Sequence, residues 1–279
     1  MMKKILLLAL SLVATVSLTA CGQQLSTTKK TYQPDAMVAV VKGAAKGHDR
    51  VHYQAATTSG TAKVNADSFV LSIPPTTKAQ TVTITAGQQK VRVKVAAAKA
   101  IGTYQTVAAS FNQAVVGSAL PKAAQKQLQA ANASQTAQMT PAQQAAMAQQ
   151  QQALQAEMVK AQQATKNQQL PTRASGLKQV LATAGGKVRV NVQDGQLLSL
   201  TDVVSTKALK DKKTAAAFAT QFGLLAHAVG ADAKEVGKSL TKTTKNAASG
   251  ETNTTTITNH GVKFNLGLSA DELYIYVTK

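Results

Sequence analysis

Residues 80–95 constrain the fold more tightly than any other stretch. Gln80-Thr81-Val82-Thr83-Ile84-Thr85 and Lys90-Val91-Arg92-Val93-Lys94-Val95 alternate apolar and polar side chains, with Ala86-Gly87-Gln88-Gln89 between them. A period of two suits an extended chain with one buried face, because successive strand side chains point to opposite sides. The pattern predicts a hairpin with Val82, Ile84, Val91, Val93 and Val95 on buried faces and Arg92 and Lys94 outward. Similar runs lie upstream at 37–41, 50–55 and 68–73, the last stopped by Pro74-Pro75. This succession of short strands predicts a small β-sandwich over residues 35–97.

The same stretch carries a family likeness. Gly43-Ala44-Ala45-Lys46-Gly47 precedes a Val-containing strand. Asp67-Ser68-Phe69-Val70-Leu71-Ser72-Ile73 then ends at Pro74, and Thr81-Val82-Thr83-Ile84-Thr85-Ala86 comes next. This order resembles bacterial immunoglobulin-like surface domains over about 60 residues. The resemblance implies an Ig-like spacer or adhesion module and brings no catalytic residue with it.

Residues 98–171 change character. Val107, Phe111 and Val115 recur at four-residue steps, as on one face of a helix, and from 123 onward Ala and Gln dominate. Thr140-Pro141 is a helix start, with a hydroxyl cap followed by a proline whose missing N–H costs nothing in the first turn. Met147, Leu154 and Met158 form a thin apolar stripe, enough to pack on a neighbour or a partner but too thin for a core. The tract reads either as a long, lightly packed helical spacer or as a partly disordered Gln-rich segment.

Residues 172–279 read as a separate α+β domain with antiparallel strands and two or three helices. Ser175 is placed as the cap of a short helix to 184. The runs 187–192 and 196–200 flank Asp194-Gly195, a pair that tolerates positive φ and signals a hairpin. A helix over 212–229 buries Phe218, Phe222, Leu225 and Val229. Asp232-Ala233-Lys234-Glu235 resembles a capping box opening a second helix with Val236 and Leu240 inward. Strands at 254–258, 262–268 and 272–278 close the chain, the first two joined at Asn259-His260-Gly261. The whole is an α+β multidomain chain.

The amino end adds an address. Lys3-Lys4 precede an apolar run of about 14 residues, roughly 21 Å of helix against the ~30 Å a permanent span needs. The run ends at Leu18-Thr19-Ala20-Cys21, which resembles the lipobox of bacterial lipoproteins. The resemblance implies a signal peptide at 1–20, diacylglycerol and its palmitate-type acyl chains on the Cys21 sulfur, and cleavage between Ala20 and Cys21. Two acyl chains suffice for stable anchoring. Cys21 is the only cysteine, so no disulfide forms within the chain. Residues 21–34, polar and without periodicity, read as a lipidated tether. The expected location is the outer face of the cytoplasmic membrane, with composition favouring a Gram-positive cell.

The formal net charge is +19, or +17 once Lys3 and Lys4 leave with the signal, and it is spread along the chain. No basic arm with interleaved aromatics is present, so nucleic acid is not the expected partner. Outside the membrane such a surface draws anionic wall polymers, unless the charge serves solubility alone. No cofactor fingerprint or catalytic motif occurs. His48 and His52 lie too far apart along an extended chain to converge on a metal, and zinc needs three or four ligands. His227 reads as a boundary or surface residue and His260 as a turn residue. Asp271-Glu272 marks the start of a strand, and Asp194 and Asp202 mark a hairpin. The expected function is therefore a non-enzymatic, lipid-anchored binding or adhesion protein contacting wall polymer, protein or small ligand. An accessory or substrate-capture subunit of a membrane complex, using the Met147/Leu154/Met158 stripe, is the alternative, and a hydrolase without a visible motif comes third.

Overall fold

The computed structural model describes residues 24–133, 141–248 and 256–279. Eight strands form the first unit: β1 (Leu25–Thr27), β2 (Thr31–Tyr32), β3 (Ala39–Ala45), β4 (Arg50–Gln54), β5 (Ser59–Lys63), β6 (Ser68–Ile73), β7 (Gln80–Ala86) and β8 (Gln89–Val95). They make two sheets, β1-β3-β6 and β2-β8-β7-β4-β5, antiparallel except for the β2–β8 pair. One core serves both sheets, with Val41, Phe69, Leu71 and Ile73 from the first and Val51, Val82, Ile84, Val93 and Val95 from the second. The alternation in β7 and β8 is realised: Val82 and Ile84 are sealed while Arg92 and Lys94 are exposed. β5, with the sequence SGTAK, carries no apolar signal and is held by its pairing with β4.

The expected tether is corrected from residue 25 onward. Leu25 and Tyr32 are buried in the core of this unit. The Tyr32 hydroxyl donates to the Lys42 carbonyl at 2.9 Å and accepts from the Lys29 N–H at 3.1 Å. Two apolar anchors in two very short strands leave no periodicity to read. β1 also approaches β3 so closely that a Cβ at Gly43 would lie 2.2 Å from the Ser26 carbonyl oxygen and 2.3 Å from the Phe69 ring. Only glycine fits there.

β9 (Gly102–Thr103) leads into α1 (Tyr104–Ala119), whose first turn is capped by Thr103 accepting from the Thr106 N–H. α2 (Lys122–Ala133) and α3 (Pro141–Ala164) come next. Val107, Phe111 and Val115 lie on one face of α1, as their spacing required, but that face enters the C-terminal core. The spacer boundary at 98 is thus corrected: β9 and α1 belong to the C-terminal unit. α2 and α3 pack on each other through a small cluster of Leu120, Ala124 and Ala161, with Leu128 and Leu154 beside it. Asn112 clamps the return of the chain, donating to the Leu170 carbonyl at 2.8 Å and accepting from its N–H at 2.7 Å.

The second unit contains β10 (Gly176–Thr183), β11 (Gly186–Gln193), β12 (Gln196–Ser205), α4 (Lys212–Ala228), α5 (Ala233–Ala248), β13 (Thr256–Asn259), β14 (Val262–Leu268) and β15 (Glu272–Thr278). Its sheet runs β10-β11-β12-β15-β14-β13, antiparallel throughout, with β9 also pairing to β12. α1, α4 and α5 supply their apolar residues to the core on one face of this sheet. The Asp194-Gly195 turn has φ of 52° and 73°, the left-handed pair a tight hairpin needs. The helix expected over 175–184 is a strand instead. Leu177, Val180, Leu181 and Ala184 fall at helical steps, but pairing with β11 around Gly185-Gly186 overrides that local pattern. Asp232 caps α5, its Oδ1 accepting from the Lys234 and Glu235 N–H groups. Glu235 does not close the box, because the Asn259 amide stands between, accepting from the Asp232 N–H and donating to Glu235. The chain is a multidomain α+β protein.

Candidate functional site

The two units meet along the sheet face opposite the helices. Asn191 Nδ2 donates to the Pro75 carbonyl at 3.0 Å, and Thr77 Oγ1 donates to Asp194 Oδ2 at 3.0 Å. Met37, Leu198 and Val203 are buried yet belong to neither core. Beside this contact opens a groove of about 830 Å³. One wall is the turn 33–36 and the linker 97–99; the floor comes from β13, β14 and β15. Lys99, Lys263 and Lys279 line it with one acid, Asp35, among the neutral polar groups Asn265, Thr256 and Thr278. Among the described residues none of these lysines is in an ion pair.

Two of the floor residues, Asn265 and Thr256, belong to a longer cross-strand row that continues past the groove. Arg189, Thr201, Tyr276, Asn265 and Thr256 form one cross-strand row from β11 to β13. The next row holds Lys187, Val203, Tyr274 and Gly267. Tyr274 and Tyr276 stack nearly parallel, 5.9 Å between ring centres and 5° between planes. The Tyr276 ring covers Gly267, where a Cβ would sit 3.0 Å from it. Burial pushes the Tyr276 hydroxyl pKa up, against the opposing pull of Arg189. The Tyr274 hydroxyl, also raised, donates to Glu272, and that bond is the largest cause. Ser199 Oγ, Thr201 Oγ1 and Asn265 Oδ1 are all closed off from solvent on this face without a partner among the described residues. Buried polar atoms are rarely left so.

A second feature lies on the helix side of the sheet. Asp202 is fully buried at the centre of β12. Its Oδ1 accepts from Gln221 Nε2 of α4 at 2.8 Å, and its Oδ2 has no partner among the described residues. Gln221 Oε1 accepts from Thr183 Oγ1 at 2.6 Å, and that hydroxyl accepts from the Gly185 N–H at 2.9 Å. Burial pushes the Asp202 carboxyl up to about 7, outweighing the hydrogen bonds from Gln221 and the Val203 backbone that stabilise its charge. Thr183 and Gln221 also line a cleft of about 420 Å³ between α1, α4 and the Gly185 turn. The reading of Asp202 as a hairpin residue is corrected. Leu200 and Val204 flank it at two-residue steps inside an apolar run, so the alternation itself puts it on the core side.

The remaining candidate residues are scattered. Ala20 and Cys21 lie outside the described residues. Met147 and Met158 are exposed on α3, whereas Leu154 turns toward α2, so the three do not form one open stripe. His52 pairs with Thr61 Oγ1, His260 with the Gly230 carbonyl, and His227 is exposed. His48 stands against Gly87 with its Nε2 buried and unpartnered among the described residues. No group of three or more His, Cys, Asp or Glu among the described residues is arranged to hold a metal. None of their helices is long and apolar enough to cross a membrane. The chain matches no protein-family model and no curated protein.

Proposed function

We propose that this chain is a lipid-anchored binding protein of the outer face of the cytoplasmic membrane, attached through diacylglycerol on Cys21 and directed at an anionic polymer of the envelope. The groove carries the reading: about 830 Å³, with three lysines against one aspartate along its lining. Clefts of this size, with a few convergent polar groups, are where ligands seat. The lipobox-like Leu18-Thr19-Ala20-Cys21 and the net positive charge support it from the sequence. The first unit is proposed as an Ig-like sandwich serving as a rigid base for the groove, a reading its two sheets with one shared core support.

Sedimentation of the unlipidated residues 22–279 with purified cell walls tests the proposal, with and without their teichoic polymers and across a salt series. Binding should fall as salt rises and as the polymer is stripped. Failure to sediment with intact walls at low salt would refute it.

The alternative, an accessory subunit of a membrane complex, draws on one observation. Met147, Met158 and Val159 stand exposed on α3, and among its residues 143–160 only Leu154 and Glu157 are partly covered. A photocrosslinker at Met158 should then trap a membrane protein in intact cells, and an absence of any adduct would remove this reading.

A further inference from the structure

The two outer faces of the first unit differ in charge. In the sheet β2-β8-β7-β4-β5, residues paired directly across strands share a face. Thr61, His52, Thr85 and Lys90 form one row across β5, β4, β7 and β8, and Ser59, Gln54, Thr83 and Arg92 form the next. Arg50 pairs with Lys63 ahead of the first row, and Lys94 pairs with Thr81 and Thr31 beyond the second. Alternation sends Val51, Val82, Ile84, Val93 and Val95 into the core, so all of these row positions face out. Arg50, Lys63, Lys90, Arg92 and Lys94 are each exposed there. No outward position of these strands holds Asp or Glu, and among the described residues none of these cations is in an ion pair. On the outer face of β1, β3 and β6 the one cation is Lys42, beside the exposed Val40 and Val70.

Charge alone does not choose between a polymer and a membrane; the place of the anchor does. The Gln24 carbonyl accepts from the Lys46 N–H at 2.7 Å, and its Oε1 accepts from Gln89 Nε2 at 3.3 Å. Gln89 opens β8, and Lys90 follows it on the outer face. Three peptide steps join Gln24 to Cys21, a reach of at most about 11 Å. If Cys21 carries lipid, as proposed above, the headgroups lie within that reach of the end of the sandwich that holds Lys90, Arg50 and Lys63. Two acyl chains hold the protein at the membrane. So short a link leaves its posture to the face that the headgroups attract. An acid-free sheet face meets that demand, with cations for lipid phosphates and threonine hydroxyls that can donate to their oxygens.

We infer that the outer face of the sheet β2-β8-β7-β4-β5 rests on the anionic headgroups of the anchoring membrane, with Arg50, Lys63, Lys90 and Arg92 against lipid phosphates.

Residues 22–279 without lipid test the face apart from the anchor. The probes are vesicles of phosphatidylcholine alone and of an equimolar mixture with phosphatidylglycerol. The chain should sediment with the anionic vesicles and not with the neutral ones, and binding should fall as salt rises. A cation near an anionic surface contributes about fivefold, so the combined variant Arg50→Gln, Lys63→Gln, Lys90→Gln, Arg92→Gln should bind about a hundredfold more weakly or worse. The control Lys207→Gln, Lys210→Gln, Lys212→Gln, Lys213→Gln removes the same charge from the other unit and should lose less than about tenfold. Cys21 is the only cysteine, so residues 22–279 accept single-cysteine labels cleanly. An environment-sensitive dye at Thr61→Cys should shift to the blue on anionic vesicles, and one at Val70→Cys should not. Circular dichroism melts of each variant confirm that the fold is kept.

No binding to anionic vesicles at low salt, an equal loss in both combined variants, or a blue shift at Val70 instead of Thr61 would each overturn the face. So would a face variant that still binds the vesicles yet no longer sediments with polymer-bearing walls, which would make this surface a polymer site. Because the chain tested carries no lipid, failure of the face leaves the anchor standing. Failure of the anchor shows separately, as absence of palmitate labelling at Cys21.

Discussion

Replacing Asp202 by asparagine should stabilise the protein at pH 8 and flatten its stability between pH 4 and pH 7. The folded protein holds this carboxyl's proton up to about pH 7, whereas an unfolded chain releases it near the ordinary value of 3.8. Between those values the native state carries the extra proton, so stability is fully present below pH 3.8 and is lost as pH rises through 7. At about 1.4 kcal/mol per tenfold change in proton affinity, the difference amounts to about 4 kcal/mol by pH 8. Asparagine removes the charge and keeps an oxygen to accept from Gln221. Its amide N–H₂ then occupies the place of Oδ2, which has no partner among the described residues, at a cost of about 1–3 kcal/mol. The net gain at pH 8 is about 1–3 kcal/mol. At pH 4 the parent acid is already neutral, so the gain vanishes or reverses. Urea unfolding at pH 4, 6 and 8, followed by far-ultraviolet circular dichroism, measures this directly. A parent whose stability does not fall between pH 4 and pH 8, or a variant weakened equally at both, would refute the buried-acid argument.

The packing and the proposed anchor set three further outcomes. Gly43→Ala should cost about 3 kcal/mol or more, because its Cβ meets backbone at Ser26 and the Phe69 ring; an unchanged melting temperature would contradict the close approach of β1. Asn112→Ala should cost about 2–3 kcal/mol by leaving the Leu170 N–H and carbonyl without their side-chain partner. Hydrogen exchange should quicken at Leu170 first, and equal protection in the variant would dismiss the clamp. Cys21→Ser should abolish incorporation of labelled palmitate and release the protein from the membrane fraction; continued labelling would place the lipid elsewhere.

Where the sequence is legible, a local pattern and the tertiary outcome agree. β7 and β8 alternate cleanly because their outward side chains meet water, and α4 shows its buried face because Phe218, Phe222 and Leu225 repeat at helical steps. Where it misleads, long-range partners decide. Residues 176–183 become a strand only because β11 lies alongside, and Leu25 and Tyr32 gain meaning only against a core built by residues 39–95. The spacing in α1 marks a helix, yet nothing in it says which sheet that helix covers. The groove is invisible for the same reason. Its walls come from residues 33–36, 97–99 and 256–279, which no motif links. Asp202 is the exception, since a carboxylate at a core position of an alternating strand is a signal that reading each strand face by face catches.

The early start of β1 sets how far the protein can reach. Its first residue is Leu25, so with a lipid on Cys21 only residues 22–24 separate the anchor from the folded body. Fully extended, such a link spans about 10–14 Å. The protein would therefore ride directly on the headgroups on a short leash. Its catch would be restricted to polymer segments close to the membrane surface, such as those still joined to their own lipid, while strands deep in the wall stay out of range. Lengthening the link, with no change to the folded body, would widen that layer.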